Sequence, residues 1–100
     1  MENTTELVII ARFHARAGQE DAVAAALRAQ VPKVRREPGC LAISAYHSLR
    51  DPRLFFIHSR WVGEAAFEAH AQLPNTRRFV ETMEQLIDHP FDAARTQAIA

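Results

Sequence analysis

Residues 37–70 read EPGC LAISAYHSLR DPRLFFIHSR WVGEAAFEAH, and this stretch decides the fold. Glu37-Pro38-Gly39-Cys40 closes a preceding helix, because proline cannot continue one and glycine accepts the left-handed turn that ends one. Cys40 to Leu49 and Leu54 to Val62 flank Arg50-Asp51-Pro52-Arg53, which predicts two strands joined as a hairpin. Pairing Leu49 with Leu54 sets His47 opposite Phe56 and Ala45 opposite His58. His47 and His58 then share one side, and Tyr46, Ser59 and Trp61 share the other. From Gly63-Glu64 a short helix follows, with Ala66, Phe67, His70 and Leu73 along its apolar side, and Pro74 ends it.

Toward the N-terminus, Leu7 to Arg16 alternates as a strand: Leu7, Ile9, Ala11 and Phe13 on one side, Val8, Ile10, Arg12 and His14 on the other. Gly18 punctuates, and Glu20 and Asp21 suit a first helical turn. Val23, Leu27, Val31 and Val34 carry that helix to about Arg36, and Pro32 is expected to kink or divide it. Toward the C-terminus, Asn75 or Thr76 caps a helix whose apolar side is Phe79, Val80, Met83, Leu86 and Ile87. His89-Pro90 stops it, and Phe91 to Ile99 makes a weak last strand.

The order β-α-β-β-α-α-β predicts an α+β, ferredoxin-like domain: a four-stranded antiparallel sheet with helices on one face. One domain is expected over residues 1–100, with its core at about 7–99. Val8 and Ile10 make the bare face too apolar for water, so a homodimer through the sheet faces, a dimeric barrel, is the economical cover.

Composition narrows the partners. Lys plus Arg and Asp plus Glu number twelve each, so the chain lacks the positive excess that nucleic acid or an anionic membrane surface demands. Apolar runs fall far short of a membrane span. The N-terminal residues show no basic start and no apolar signal core, which makes the cytoplasm the expected location. Cys40 is the sole cysteine and forms no disulfide within the chain.

Chemistry is sparse. With three glycines there is no phosphate-cradling loop, and no nucleotide cofactor is expected. No His-x-x-x-His or Cys-x-x-Cys spacing occurs and His14, His47 and His58 lie on three strands, so no metal is expected either. A Gly-x-Ser-x-Gly elbow is missing. Cys40 reads as a small buried apolar residue, and Trp61 as a seal between sheet and helix. His70 has two readings of equal weight: a satisfied core histidine, or a group that moves a proton, since imidazole titrates near neutrality.

Glu37-Pro38-Gly39-Cys40, the Asp51-Pro52 turn, Trp61 and the Ala65-to-His70 helix together resemble the antibiotic biosynthesis monooxygenase (ABM) family, over Leu7 to about Ile87. The resemblance implies a dimeric α+β barrel with a pocket between sheet and helices. It implies oxidation of a small phenolic or quinol-type aromatic by molecular oxygen, with neither metal nor flavin. His70 would then be the catalytic base, with Trp61, Phe67, Phe13 and Tyr46 binding substrate. The chain departs from the pattern at Ser59, where many members carry Glu, and at Asn75, where many carry a second His. Haem-degrading relatives use an Asn and a Trp where Ala11 and His70 stand, so haem is not the implied substrate. Two other functions fit the same scaffold: a small-molecule-binding or stress-related protein without turnover, and an isomerase or decarboxylase of a small carbonyl compound.

Overall fold

The computed structural model describes residues 6–100. Its elements are β1 (Leu7–His14), α1 (Glu20–Val34), β2 (Cys40–His47), β3 (Leu54–Trp61), α2 (Glu64–Gln72), α3 (Pro74–Leu86) and β4 (Asp92–Thr96). The strands form one antiparallel sheet in the order β2-β3-β1-β4, the ferredoxin-like plan.

Alternation fixes the two faces. Leu7, Ile9, Ala11 and Phe13 of β1 and Phe55, Ile57, Ser59 and Trp61 of β3 are buried toward the helices. Val23, Leu27, Val31 and Val34 of α1, with Met83 and Ile87, complete that core. The opposite face carries Val8, Ile10, Phe56, His58 and Tyr46, with Ile10 43% and Tyr46 52% exposed. It is an apolar surface that no element of the described chain covers.

The hairpin register differs by one residue from the expected one. Ser48, not Leu49, meets Leu54: its N–H donates to the Leu54 carbonyl at 2.9 Å. The cause is side-chain chemistry in the turn. Ser48 Oγ accepts from the N–H groups of Arg50 (3.1 Å) and Asp51 (3.0 Å), and Asp51 Oδ1 accepts from that of Arg53 (2.9 Å). These bonds curl Leu49 out of the strand. Tyr46 therefore pairs with Phe56 on the bare face, beside His58, and His47 moves to the helix side.

Pro32 does not divide α1, which runs from Glu20 to Val34 with Pro32 inside. The residue lies near the C-terminal end, so few turns follow the bond to the Arg28 carbonyl that it forgoes, and Arg35 N–H still reaches the Val31 carbonyl at 3.1 Å. Pro74 opens α3 as well as closing α2, and Leu73 before it is extended, as a pre-proline residue prefers. Asn75 and Thr76 therefore lie inside α3 and do not cap it. No helix of the described residues is long and apolar enough to cross a membrane.

Candidate active site at the end of the hairpin

Gly39 starts the site. It has φ +84°, and a Cβ there would lie 2.5 Å from the Ala66 Cβ and 3.2 Å from Val62 Cγ2. Only glycine lets the loop after α1 press against α2 this closely. Its carbonyl accepts from Val62 N–H at 2.9 Å, locking the loop to the end of β3. Glu37, two residues earlier, is thereby brought to the third side of α2's apolar turn.

On α2, Ala66, Phe67 and His70 share a side at helical spacing. The His70 ring lies 4.7 Å from Trp61 and 5.4 Å from Phe67, centroid to centroid, and Phe67 meets Trp61 edge-on at 5.6 Å. Trp61 is fully buried and backs the imidazole. Its indole Nε1–H donates to Ser59 Oγ at 3.0 Å. Ser59 thus serves the tryptophan; the two residues lie on one side of β3 because strand side chains repeat every second position.

Glu37 Oε1 accepts from His70 Nδ1 at 2.6 Å. Both side chains are nearly closed off, at 13% exposure for His70 and 12% for Glu37. A carboxylate only accepts, so Nδ1 is the nitrogen that carries the shared hydrogen, and in a neutral imidazole the lone pair is then on Nε2. Thr76 Oγ1 adds a longer contact of 3.4 Å on the Nδ1 side. Among the described residues, Gln30 Nε2 is the one buried side-chain nitrogen or oxygen without a hydrogen-bond partner. Nε2 of His70 has no protein partner, so it keeps contact with solvent. Asn75 does not replace a second histidine; its Nδ2 donates to Gln30 Oε1 at 3.4 Å. Cys40 borders this region half-buried, and burial first, then the Glu37 charge, push its thiol above the usual range.

Of the residues picked from sequence, His70, Trp61 and Phe67 come together. Phe13 does not join them: it stacks on Phe91 at 5.0 Å and meets Phe79 at 6.3 Å, and on the sheet it pairs with Phe55, at the far end of β3 from Trp61. Tyr46 lies on the bare face, outside the site, as the register requires. Glu37 is the residue sequence reasoning missed. It was visible only as a letter of the Glu-Pro-Gly-Cys motif, and the glycine that folds it back was the available signal.

Hollows of about 490, 540 and 360 Å³ indent the surface of the described residues, and His70 lines none of these. The first is a groove between α1 and β2, walled by Leu27, Val31, Tyr46 and Phe55. Arg95 of β4 bridges Glu64 and Glu68 of α2 and lies 5.2 Å from the Phe67 ring centre. No α2 residue is fully buried, so this helix rests on the site as a thin cover.

The fold recurs among solved structures. Protein PA3566 from Pseudomonas aeruginosa is 29% identical, each chain covers 100% of the other, and the TM-score is 0.89. Protein SO0527 from Shewanella oneidensis is 27% identical with a TM-score of 0.88, over 94% of this chain and 91% of that one. A crystal structure titled antibiotic biosynthesis monooxygenase is 26% identical with a TM-score of 0.87, over 94% of this chain and 99% of that one. No curated protein matches the chain in sequence. The family model for antibiotic biosynthesis monooxygenase matches residues 7–82, and the chain belongs to that family.

Proposed function

We propose that the chain oxidises a small phenolic or quinol-type aromatic with molecular oxygen, using His70 as the base. The observation that carries this reading is the His70–Glu37 pair. One ring nitrogen is anchored by a carboxylate, the other is free, and aromatic rings hold the imidazole in place. This is the arrangement of an oriented general base.

Nε2 removes a phenolic proton, and Glu37 steadies the imidazolium that forms. The substrate anion is electron-rich and itself reduces oxygen. For a quinol, one oxygen atom enters the ring and the other leaves as water, giving a hydroxyquinone; the substrate supplies the electrons, and neither metal nor flavin takes part. Phe67 offers the aromatic wall, and the buried Trp61 backs the imidazole from the sheet side. Oxygen uptake with a panel of hydroquinones tests the reading. His70→Ala lowers the rate by about 10²–10⁴-fold; equal rates in both proteins remove His70 from the mechanism.

The bare sheet face supports a homodimer, since Val8, Ile10, Phe56 and Tyr46 form an apolar area that a second copy would cover by a two-fold axis. Ile10→Glu converts the dimer to monomer in sedimentation experiments if this is so. The groove between α1 and β2, which His70 does not line, favours one other reading, binding without turnover. A ligand that raises the melting temperature while no product forms supports it, and clear turnover of that ligand sinks it. The dyad also suits a proton-shuttling isomerase, which product formation without oxygen reveals.

A further inference from the structure

At the opposite end of the sheet a second histidine cluster forms, on residues that the His70 chemistry does not use. His14 ends β1, Asp51 and Arg53 sit in the hairpin loop, and Asp88 and His89 follow α3. Both oxygens of Asp88 face imidazole nitrogens: Oδ2 lies 2.8 Å from His14 Nδ1, and Oδ1 lies 2.6 Å from His89 Nδ1. The two rings lie 6.0 Å apart and are tilted by only 29°. One donor atom each from His14, Asp88 and His89 falls within 4.8 Å of the others.

The backbone holds this set in place. Asp88 N–H donates to the His14 carbonyl at 3.0 Å, Arg16 N–H to the Leu86 carbonyl at 2.8 Å, and Ala15 bridges Ile87. Asp51 Oδ2 lies 3.1 Å from Nε2, the other nitrogen of His14. A carboxylate on the far nitrogen is the usual outer support of a metal-binding histidine, fixing ring direction and raising its basicity. Arg53 is the opposing charge. It bonds Asp88 Oδ2 at 3.1 Å, but its Nε is committed to the Ala15 carbonyl at 2.9 Å and it leaves Oδ1 untouched.

We propose that His14, Asp88 and His89 bind one borderline transition-metal dication such as Zn²⁺, with Asp51 as the outer acceptor for His14. Two imidazoles and one carboxylate suit such ions; Mg²⁺ and Ca²⁺ prefer an all-oxygen set. The metal takes the place of the hydrogens now shared between the Nδ1 atoms and Asp88, which leave as solvent protons. Water fills the remaining positions. His14 pairs with Leu54 and Leu7 with Trp61. The seven residue steps along β3 therefore place the metal roughly 23 Å from the Trp61 end. It clips β1, the hairpin loop and the α3–β4 connection together, and it takes no part in the His70 chemistry.

Calorimetry and thermal melts of the full chain without a histidine tag decide this. ZnCl₂ binds with one equivalent per chain and raises the melting temperature, and MgCl₂ and CaCl₂ do neither. His89→Ala abolishes the Zn²⁺ effect; its side chain is 65% exposed, so the fold survives the change. Asp51→Asn weakens binding about 10–100-fold. His47→Ala, at another exposed imidazole, leaves binding intact. No Zn²⁺ binding by the wild type, binding undiminished in His89→Ala, or binding lost in His47→Ala overturns the site and leaves a hydrogen-bonded clasp only.

Discussion

His70 and His14 each hold a carboxylate through Nδ1, at 2.6 Å and 2.8 Å, yet the two pairs stand in different surroundings. His70 is walled by Trp61 and Phe67 and meets one acid, Glu37, with both partners nearly closed to solvent. His14 meets two acids, Asp51 and Asp88, in the open, with Arg53 alongside. At His14 both ring nitrogens are committed, so no lone pair is left for a substrate proton. At His70 one is committed and one is free. The number of carboxylates around an imidazole, set by the chain's folding, separates the proposed base from the clasp.

The largest expected effect tests that separation directly. Glu37→Gln replaces an obligate acceptor by an amide that can donate to Nδ1, which moves the ring hydrogen to Nε2 and removes the base. Oxygen uptake with an accepted hydroquinone falls by roughly 10²–10⁴-fold, as for other misassigned tautomers and lost bases. Asp88→Asn, made at the clasp, leaves the rate within about a factor of two, in line with its distance from the chemistry. Comparable losses in both variants would show that the two pairs are not functionally distinct.

A smaller effect concerns how Glu37 is delivered. Gly39 and Gly18 both have positive φ, +84° and +86°. A Cβ on Gly18 meets nothing within 4 Å, whereas on Gly39 it strikes Ala66. Gly18→Ala therefore costs the backbone strain alone, about 1–3 kcal/mol in urea denaturation. Gly39→Ala costs that and the displacement of α2, so it destabilises more and lowers oxygen uptake as well. Equal stability and activity in the two variants would mean that the close approach of loop and helix does not set the site.

Period and punctuation made much of this legible in the sequence. The alternation from Leu7 to Phe13, the Pro38-Gly39 stop and the hairpin give the element order and the sheet, because local geometry dictates them. His70 on the apolar side of α2 was legible for the same reason. What escaped depends on side chains acting across turns and long separations. Ser48 Oγ sets the hairpin register by binding two N–H groups of the loop, a bond that strand periodicity does not encode. Tyr46 changed faces as a result. Glu37 meets His70 across 33 residues, and Asp88 meets His14 across 74. Only the folded chain brings such pairs together. Phe13 shows the converse: its burial was legible, but its neighbours, Phe79 and Phe91, were not.

The smallest effect is a pH signature of the clasp, read in protein kept metal-free with a chelator. Asp88 first, then Asp51, raise the His14 value above 6.5. Stabilisation from a raised group is complete below its unfolded value and is lost as pH climbs through the folded one. The carboxylates run the other way. The Arg53 N–H chiefly lowers Asp51 below 3.8, and His14, with His89, lowers Asp88. Their contribution is present above the unfolded value and is lost as pH falls through the folded ones. The clasp is therefore strongest between about pH 3.8 and 6.5 and weakens on both sides. Melting temperatures of wild type and His14→Gln, compared from acid to alkaline pH, differ most inside that window and converge above it. The difference is modest, because exposed ion pairs contribute little against water and salt. A difference of constant size across the whole range would mean that His14 acts through packing, and its contrast with the buried pair would then rest on shape alone.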